Sequence, residues 1–219
     1  MELLVAAAAD LARTEPDLAG SFAKPAGFRV RFSFGASGML AQQIRNGAPF
    51  DVYLSANEQF VRDLAASGAL LPQSVQVYAQ GRLGLWSRSG NIRSPGQLAE
   101  ANVRHVAIAN PLHAPYGLAA QQWLKKLDLW ESLAGKLVYG ENVQQALQYA
   151  ETGNAEAVIT AWSLVYDRGA ILLPAEGHAP IRQVGAVVKG TRHPEAAAAF
   201  LKFLTGPAGR AILRRHGFD

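Results

Sequence analysis

Apolar and polar positions switch between two periods along the whole chain. Leu3 to Ala9 is a nearly continuous apolar run that predicts a buried first strand. Leu11 to Ala23 has helical spacing, with Pro16 disturbing its first turns. Phe28 to Phe34 alternates and puts Val30, Phe32 and Phe34 on one face of a second strand. Gly38 to Asn46 predicts a helix stopped by Gly47, Asp51 to Ser55 a third strand, and Glu58 to Ala66 a helix ended by Gly68. Val75 to Ala79 and Arg82 to Ser87 are strands split by Gln80-Gly81. A second set follows. Strands are predicted at His105 to Ile108, Lys136 to Tyr139, Ala157 to Thr160 and Gln183 to Val188. Helices are predicted at Ser94 to Ala99, Tyr116 to Leu127, Val143 to Thr152, Trp162 to Asp167, His193 to Leu204 and Pro207 to His216. Alternation of this kind predicts α/β architecture. No repeat or low-complexity linker interrupts it, so two lobes would be joined by crossing strands rather than by a tether.

In open α/β sheets, ligands bind beyond the C-terminal ends of strands, where helices begin. Four loops qualify: Ala8-Ala9-Asp10, Gly35-Ala36-Ser37-Gly38, His113 to Gly117, and Gly140 to Val143. The run FSFGASGMLAQQI, Phe32 to Ile44, is the clearest of them, a strand, a tight loop and an amphipathic helix with Ser37 at its start. A helix start has N–H groups without partners and the positive end of the dipole, so it favours an anion with no lysine or arginine. Taken singly, Ser37 and Asn142 read as caps and Tyr116 as a packed aromatic. Four such loops in order shift the reading toward an anion site.

Composition narrows the classes. Apolar residues make up 49% and charged residues 17%, below the usual quarter, which describes a packed globule. The net charge of +4 has no dense basic block behind it. Arg210, Arg214, Arg215 and His216 read as the wet face of a last helix, so no nucleic-acid partner is expected. With no cysteine, disulfides, thiolate metal sites and cysteine nucleophiles are excluded. The histidines lack zinc-site spacing, and no nucleophile elbow, phosphate-binding glycine loop or dinucleotide fingerprint occurs. Neither an enzyme nor a cofactor is therefore expected. No apolar run approaches a membrane span, and MELLVAAAAD, without a basic n-region, reads as a strand rather than a signal peptide.

Several stretches together resemble the periplasmic molybdate-binding proteins of ABC importers, a group of type II periplasmic binding proteins. They are VAAAADL (Val5 to Leu11), SFGASGMLAQQIRNGAPFDVYLSAN (Ser33 to Asn57), AIANPLHAPYGLAAQQWL (Ala107 to Leu124), GENVQQAL (Gly140 to Leu147) and AAAAFLKFLTGPAGRAILRRHGF (Ala196 to Phe218). The resemblance implies a two-lobed α/β fold with the ligand cleft between lobes joined by crossing strands. Residues 1–79 and 184–219 would form one lobe and 80–183 the other. It also implies a molybdate or tungstate ion held by hydrogen bonds rather than by direct protein ligation of the metal. A permease partner, a periplasmic location with the signal peptide removed, and a monomer without membrane insertion follow from the same resemblance. The matching ligand positions are Ala9, Asp10, Ser37, Tyr116 and Val143. One branch of the family adds a tyrosine where this chain has Ala161; Tyr116 would supply the hydroxyl instead.

The first loop departs from the family, which has a hydroxyl or amide side chain where this chain has Ala9 and Asp10. A carboxylate beside a dianion is repulsive. Asp10 can turn away and cap the first helix, accept a proton carried by a phosphate-like ligand, or add an oxygen ligand to the metal. The capping arrangement is preferred, since aspartate is a common N-cap. Other readings are a binder of phosphate or sulfate, a cytosolic oxyanion-sensing domain, and an enzyme on the same fold.

Overall fold

Strand β1 (Glu2–Ala8) lies between β2 (Arg29–Gly35) and β3 (Val52–Ser55) and is parallel to both. A strand so placed is covered on both faces, which is why it reads as a continuous apolar run. Leu3, Val5 and Ala7 join one core cluster with Leu11, Leu18, Leu54 and Phe200, while Ala6 joins a second with Leu40, Ile44, Tyr53 and Val184. β10 (Ile181–Val187) runs antiparallel to β3, and β4 (Gln76–Gly81) completes the order β2-β1-β3-β10-β4. The computed structural model describes residues 2–219.

This sheet belongs to the first of two α/β units, residues 1–80 with 182–219; the second is residues 81–181. In the second unit β6 (Val106–Ala109) lies between β7 (Leu137–Gly140) and β8 (Ala157–Ala161), parallel to both. β5 (Leu83–Trp86) pairs antiparallel with β8 and with the two-residue strand β9 (Ile171–Leu172), giving the order β7-β6-β8-β5-β9. Each sheet thus has a central parallel strand, two parallel flanks and an antiparallel strand beyond the second flank. The unit limits fall within β4 and β10, not in loops. The α/β class expected from the alternation is the one observed.

The helices follow the predicted segments with informative exceptions. Ala9–Thr14 is a 3-10 turn, and α1 (Glu15–Ala26) starts only at the residue before Pro16. Proline lacks an N–H and clashes with the carbonyl four residues back, so it is accommodated in a first turn but not inside a helix begun at Leu11. The remaining helices are α2 (Ser37–Arg45), α3 (Glu58–Ala66), α4 (Pro115–Lys126), α5 (Trp130–Leu133), α6 (Val143–Glu151), α7 (Trp162–Val165), α8 (Pro194–Thr205) and α9 (Pro207–Arg215). α5 and β9 were not predicted, because so few residues display no period. α9 buries Ile212 and Leu213 and exposes Arg210 and Arg214. Arg215 and His216 pair with Asp17 at 3.5 and 2.9 Å, so the C-terminal basic residues are the wet face of a helix tied to α1.

Two glycines set how closely helices approach the strand ends in the second unit. A Cβ on Gly117 would stand 2.0 Å from the Ala109 carbonyl oxygen at the end of β6, and one on Gly140 would stand 2.5 Å from the Ala146 nitrogen in α6. Gly117→Ala is expected to cost roughly 3 kcal/mol, the upper end of overpacking, because the atom it meets is backbone and cannot rotate aside. The urea midpoint of the variant against the parent measures this; an unchanged midpoint would mean that α4 can shift without loss.

Candidate functional site

β1 and β2 end in register, Ala8 opposite Gly35. The loop Ala9-Asp10 and the start of α2 therefore lie side by side, and Ala9, Asp10 and Ser37 come together in the first unit. Ser37 is the first residue of α2 and not its cap; the cap position is Ala36, extended at φ −67° and ψ 137°, with no side-chain cap bond. Ser37 is 1% exposed. Its Oγ accepts the Ala56 N–H at 3.0 Å, and its carbonyl accepts the Tyr53 hydroxyl at 2.7 Å. A hydroxyl has one proton to donate, and that of Ser37 has no acceptor among the described residues. Burial pushes the Tyr53 phenol above its ordinary value, so it remains a donor.

Asp10 does not cap a helix. It is the second residue of the 3-10 turn, 1% exposed, and the cap of α1 is Thr14. Pro16 delays α1, which leaves Asp10 too far upstream to cap it. Its Oδ2 accepts the Gln183 amide at 2.7 Å, and the Tyr78 hydroxyl donates to Gln183 Oε1 at 3.0 Å. The direction of this chain follows from its end: a carboxylate only accepts, so Gln183 presents its N–H to Asp10 and its oxygen to Tyr78, and Tyr78 must donate. Burial raises the Tyr78 phenol well above its ordinary value, and the neighbouring Asp10 carboxylate and Tyr53 push it further.

The second unit repeats the arrangement at its own strand ends. Ala109 pairs with Gly140 at the ends of β6 and β7, from which the chain leads to α4 with Tyr116 and to α6 with Val143. Both residues are buried. Tyr116 is the second residue of α4, whose cap position is Ala114. Asn142 caps α6: its Oδ1 accepts from Gln144 and Gln145 at 2.9 and 3.1 Å. That takes the second and third N–H groups of the helix and leaves the first, on Val143, without an acceptor in the turn. The Thr160 hydroxyl donates to the Val143 carbonyl at 3.0 Å. Ala161 is buried at the end of β8.

The charge pattern of the helix starts agrees with an anion. α1, α3, α5 and α8 carry acidic residues in their first turns, whereas α2, α4 and α6 carry none, a feature they share with α7 and α9. An acid there would neutralise the positive end of the dipole, so these three starts are left electropositive. Among the described residues no cluster of histidine, aspartate and glutamate could hold a metal ion. Among the described residues no helix is long and apolar enough to cross a membrane. Tyr53, Thr160 and Gln183 bond to candidate residues and Tyr78 reaches Asp10 through Gln183; all four were missed from the sequence, where each reads as an ordinary strand position.

A family model described as bacterial extracellular solute-binding protein matches residues 3–219. The chain belongs to this family. This solute-binding protein is similar to the molybdate-binding protein ModA of Azotobacter vinelandii, with 37% identity over 99% of this chain and 89% of that protein. ModA of Rhodobacter capsulatus is 35% identical over 99% and 88%. Among solved structures, the periplasmic molybdate-binding protein of Azotobacter vinelandii matches with a TM-score of 0.93 at 35% identity, covering 99% of this chain and 98% of that one. The sulfate-binding protein SubI of Mycobacterium tuberculosis has a TM-score of 0.85 at 16% identity over 100% and 86%, which shows a shared fold alone. The resemblance drawn from the loop motifs is therefore a family relationship, and the two-lobed α/β class goes with it.

In the solute-binding protein's first loop, Asp10→Asn keeps an amide oxygen able to accept from Gln183, whereas Asp10→Ala removes the acceptor of a buried N–H. The asparagine variant is expected within about 1 kcal/mol of the parent in stability and the alanine variant about 1–3 kcal/mol below it. Denaturant unfolding of both decides; equal losses would mean that the Gln183 bond is not what Asp10 contributes.

Proposed function

We propose that this solute-binding protein captures molybdate, with tungstate as its close analogue, in the periplasm and delivers it to the permease of an ABC importer. Its full-length relatives at 35 and 37% identity are molybdate-binding proteins, and molybdate is the solute assigned to this chain. One observation carries the reading at the level of residues. Ser37 and Val143, each the first residue of a helix, keep a neutral donor that the protein itself does not use. In this reading the anion takes its donors from the backbone of Ala9 and Asp10, the Ser37 hydroxyl, Tyr116 and the Val143 N–H. The metal is reached only through its oxygens.

Neutral donors suit a permanently charged dianion, because a site of low dielectric strengthens each bond without adding a counter-charge. About six bonds to a charged group supply the roughly 8 kcal/mol that micromolar affinity needs. Fixed donors select by size, and the longer metal–oxygen bonds set molybdate and tungstate apart from sulfate. The role of Asp10 in this reading is indirect. One oxygen is already engaged by Gln183 on the core side, which favours a loop that meets the anion through its backbone. A phosphate binder would instead use that carboxylate to accept the ligand's proton. The protein acts by binding, as a monomer, and without catalysis.

Thermal unfolding in the presence of molybdate, tungstate, sulfate, phosphate and chromate tests the assignment. A ligand that binds only the native state stabilises it by about 2.7 kcal/mol at a hundred times its Kd. Molybdate and tungstate are expected to raise Tm, with sulfate and phosphate well behind; a shift from phosphate alone would overturn the assignment. At residue level, Ser37→Ala is expected to weaken molybdate binding by roughly 1.5–3 kcal/mol, the range for a bond to a charged group. Tyr116→Phe is expected to lose affinity with its fold intact. Calorimetry with unchanged affinity in either folded variant removes that side chain from the site.

A further inference from the structure

Ser37 and Val143 hold corresponding places. Each is the first residue of the helix that follows the outer parallel strand of its sheet, β2 into α2 and β7 into α6. In each case the residue's carbonyl receives a hydroxyl from the strand on the other side of the central one. Tyr53 in β3 donates to Ser37 at 2.7 Å, and Thr160 in β8 donates to Val143 at 3.0 Å. Both hydroxyl-bearing residues are 0% exposed. We propose that Tyr53 and Thr160 are matched positioning residues that fix the first peptide group of α2 and α6, so that the donors of Ser37 and Val143 are aimed before the anion arrives.

The ordinary alternative is that two buried hydroxyls have found the nearest carbonyl. Three observations weigh against it. A first-turn carbonyl already accepts the N–H four residues on, so neither carbonyl needs a second donor to be satisfied. Two side chains as different as tyrosine and threonine reach the same atom of the same helix position in both units. The rest of each residue is held as well. Ser37 Oγ is fixed by the Ala56 N–H, and the peptide after Val143 is fixed at its other end by Asn142, which accepts the Gln144 N–H. Together these bonds hold both residues while leaving the Ser37 hydroxyl proton and the Val143 N–H uncommitted. Donors ordered in advance do not lose that freedom on binding, which is how preorganisation raises affinity. The raised Tyr53 phenol means that this hydroxyl donates across the ordinary pH range.

This inference rests on the proposed molybdate function, and the experiment separates the two. Tyr53→Phe and Thr160→Val remove only the hydroxyl from a side chain of the same shape. Each is expected to raise the molybdate Kd roughly three- to tenfold, and the double variant by about the product, since no protein group is common to the two bonds. Thr160→Ser keeps the hydroxyl and is expected to restore near-parental affinity. Backbone amide relaxation of the ligand-free proteins supplies a readout independent of molybdate: the order parameters of Gly38 and Gln144, whose N–H groups belong to the held peptides, and of the adjoining Ser37 and Val143 are expected to fall in the Phe and Val variants. A lower Tm with unchanged Kd and unchanged order parameters would overturn the proposal and leave the hydroxyls as core groups. Failure of the parent protein to bind molybdate would overturn the function assigned above, and the order parameters would still decide the role of the two hydroxyls.

Discussion

Everything that could hold an anion here depends on where pairs of parallel strands stop. Ala8 ends opposite Gly35 in one unit and Ala109 opposite Gly140 in the other. Parallel strands send their following segments out at the same end of the sheet, so two strands ending at one level place two turns side by side. An antiparallel pair would send them to opposite ends. The glycines at these pairs have a further effect in the second unit, where a Cβ on Gly140 would collide with the α6 backbone. Register and close approach together decide which N–H groups face outward, before any particular side chain is chosen.

The buried polar groups beneath the loops are ordered to the same end. Asp10, Gln183 and Tyr78 form a chain whose direction is dictated by the carboxylate, and it links the first loop to β10 and β4. Such a network adds little net stability, because each group gives up water to enter it. Its effect is on geometry: in a low-dielectric interior a misplaced member is costly, so the loop has one arrangement rather than several. The Tyr53 and Thr160 hydroxyls act in the same manner on the two helix starts.

Most of the architecture was legible because it is written in period. β1 shows its double burial as an unbroken apolar run, and α9 shows its two faces through Arg210, Ile212, Leu213 and Arg214. The loops that hold Ser37, Tyr116 and Val143 were legible from their order, since a strand, a short loop and a helix start leave a local signature, whereas the choice of these residues as ligand positions came from the family resemblance. Gln183 and Tyr78 leave none. Gln183 meets Asp10 from 173 residues away, and only pairing within the sheet brings them together. Asp10 was misread as a cap because its partner lies across the sheet while the local rule looks only forward along the chain. Pro16 held the correction in plain view, since a helix that cannot contain it must begin beside it.

The missing cap on α2 carries the last step of the argument. By the standard of local stability Ala36 is a poor choice, as a serine or asparagine there would add about 1 kcal/mol. Asn57 provides such a cap for α3, and Asn142 for α6. A capping side chain works by accepting the second and third N–H groups of the helix, which are the groups an anion would need. In α6 the cap leaves only the Val143 N–H, so that helix offers a single donor. In α2 and α4 the cap positions are Ala36 and Ala114, and neither supplies a side-chain cap bond. An uncapped start with no acid in its turn also occurs at α7 and α9, and water can satisfy it, so the feature admits an anion without requiring one. What α2 adds is the buried Ser37 hydroxyl at its first position, so in the proposed function it offers an anion neutral donors without a lysine, an arginine or a metal.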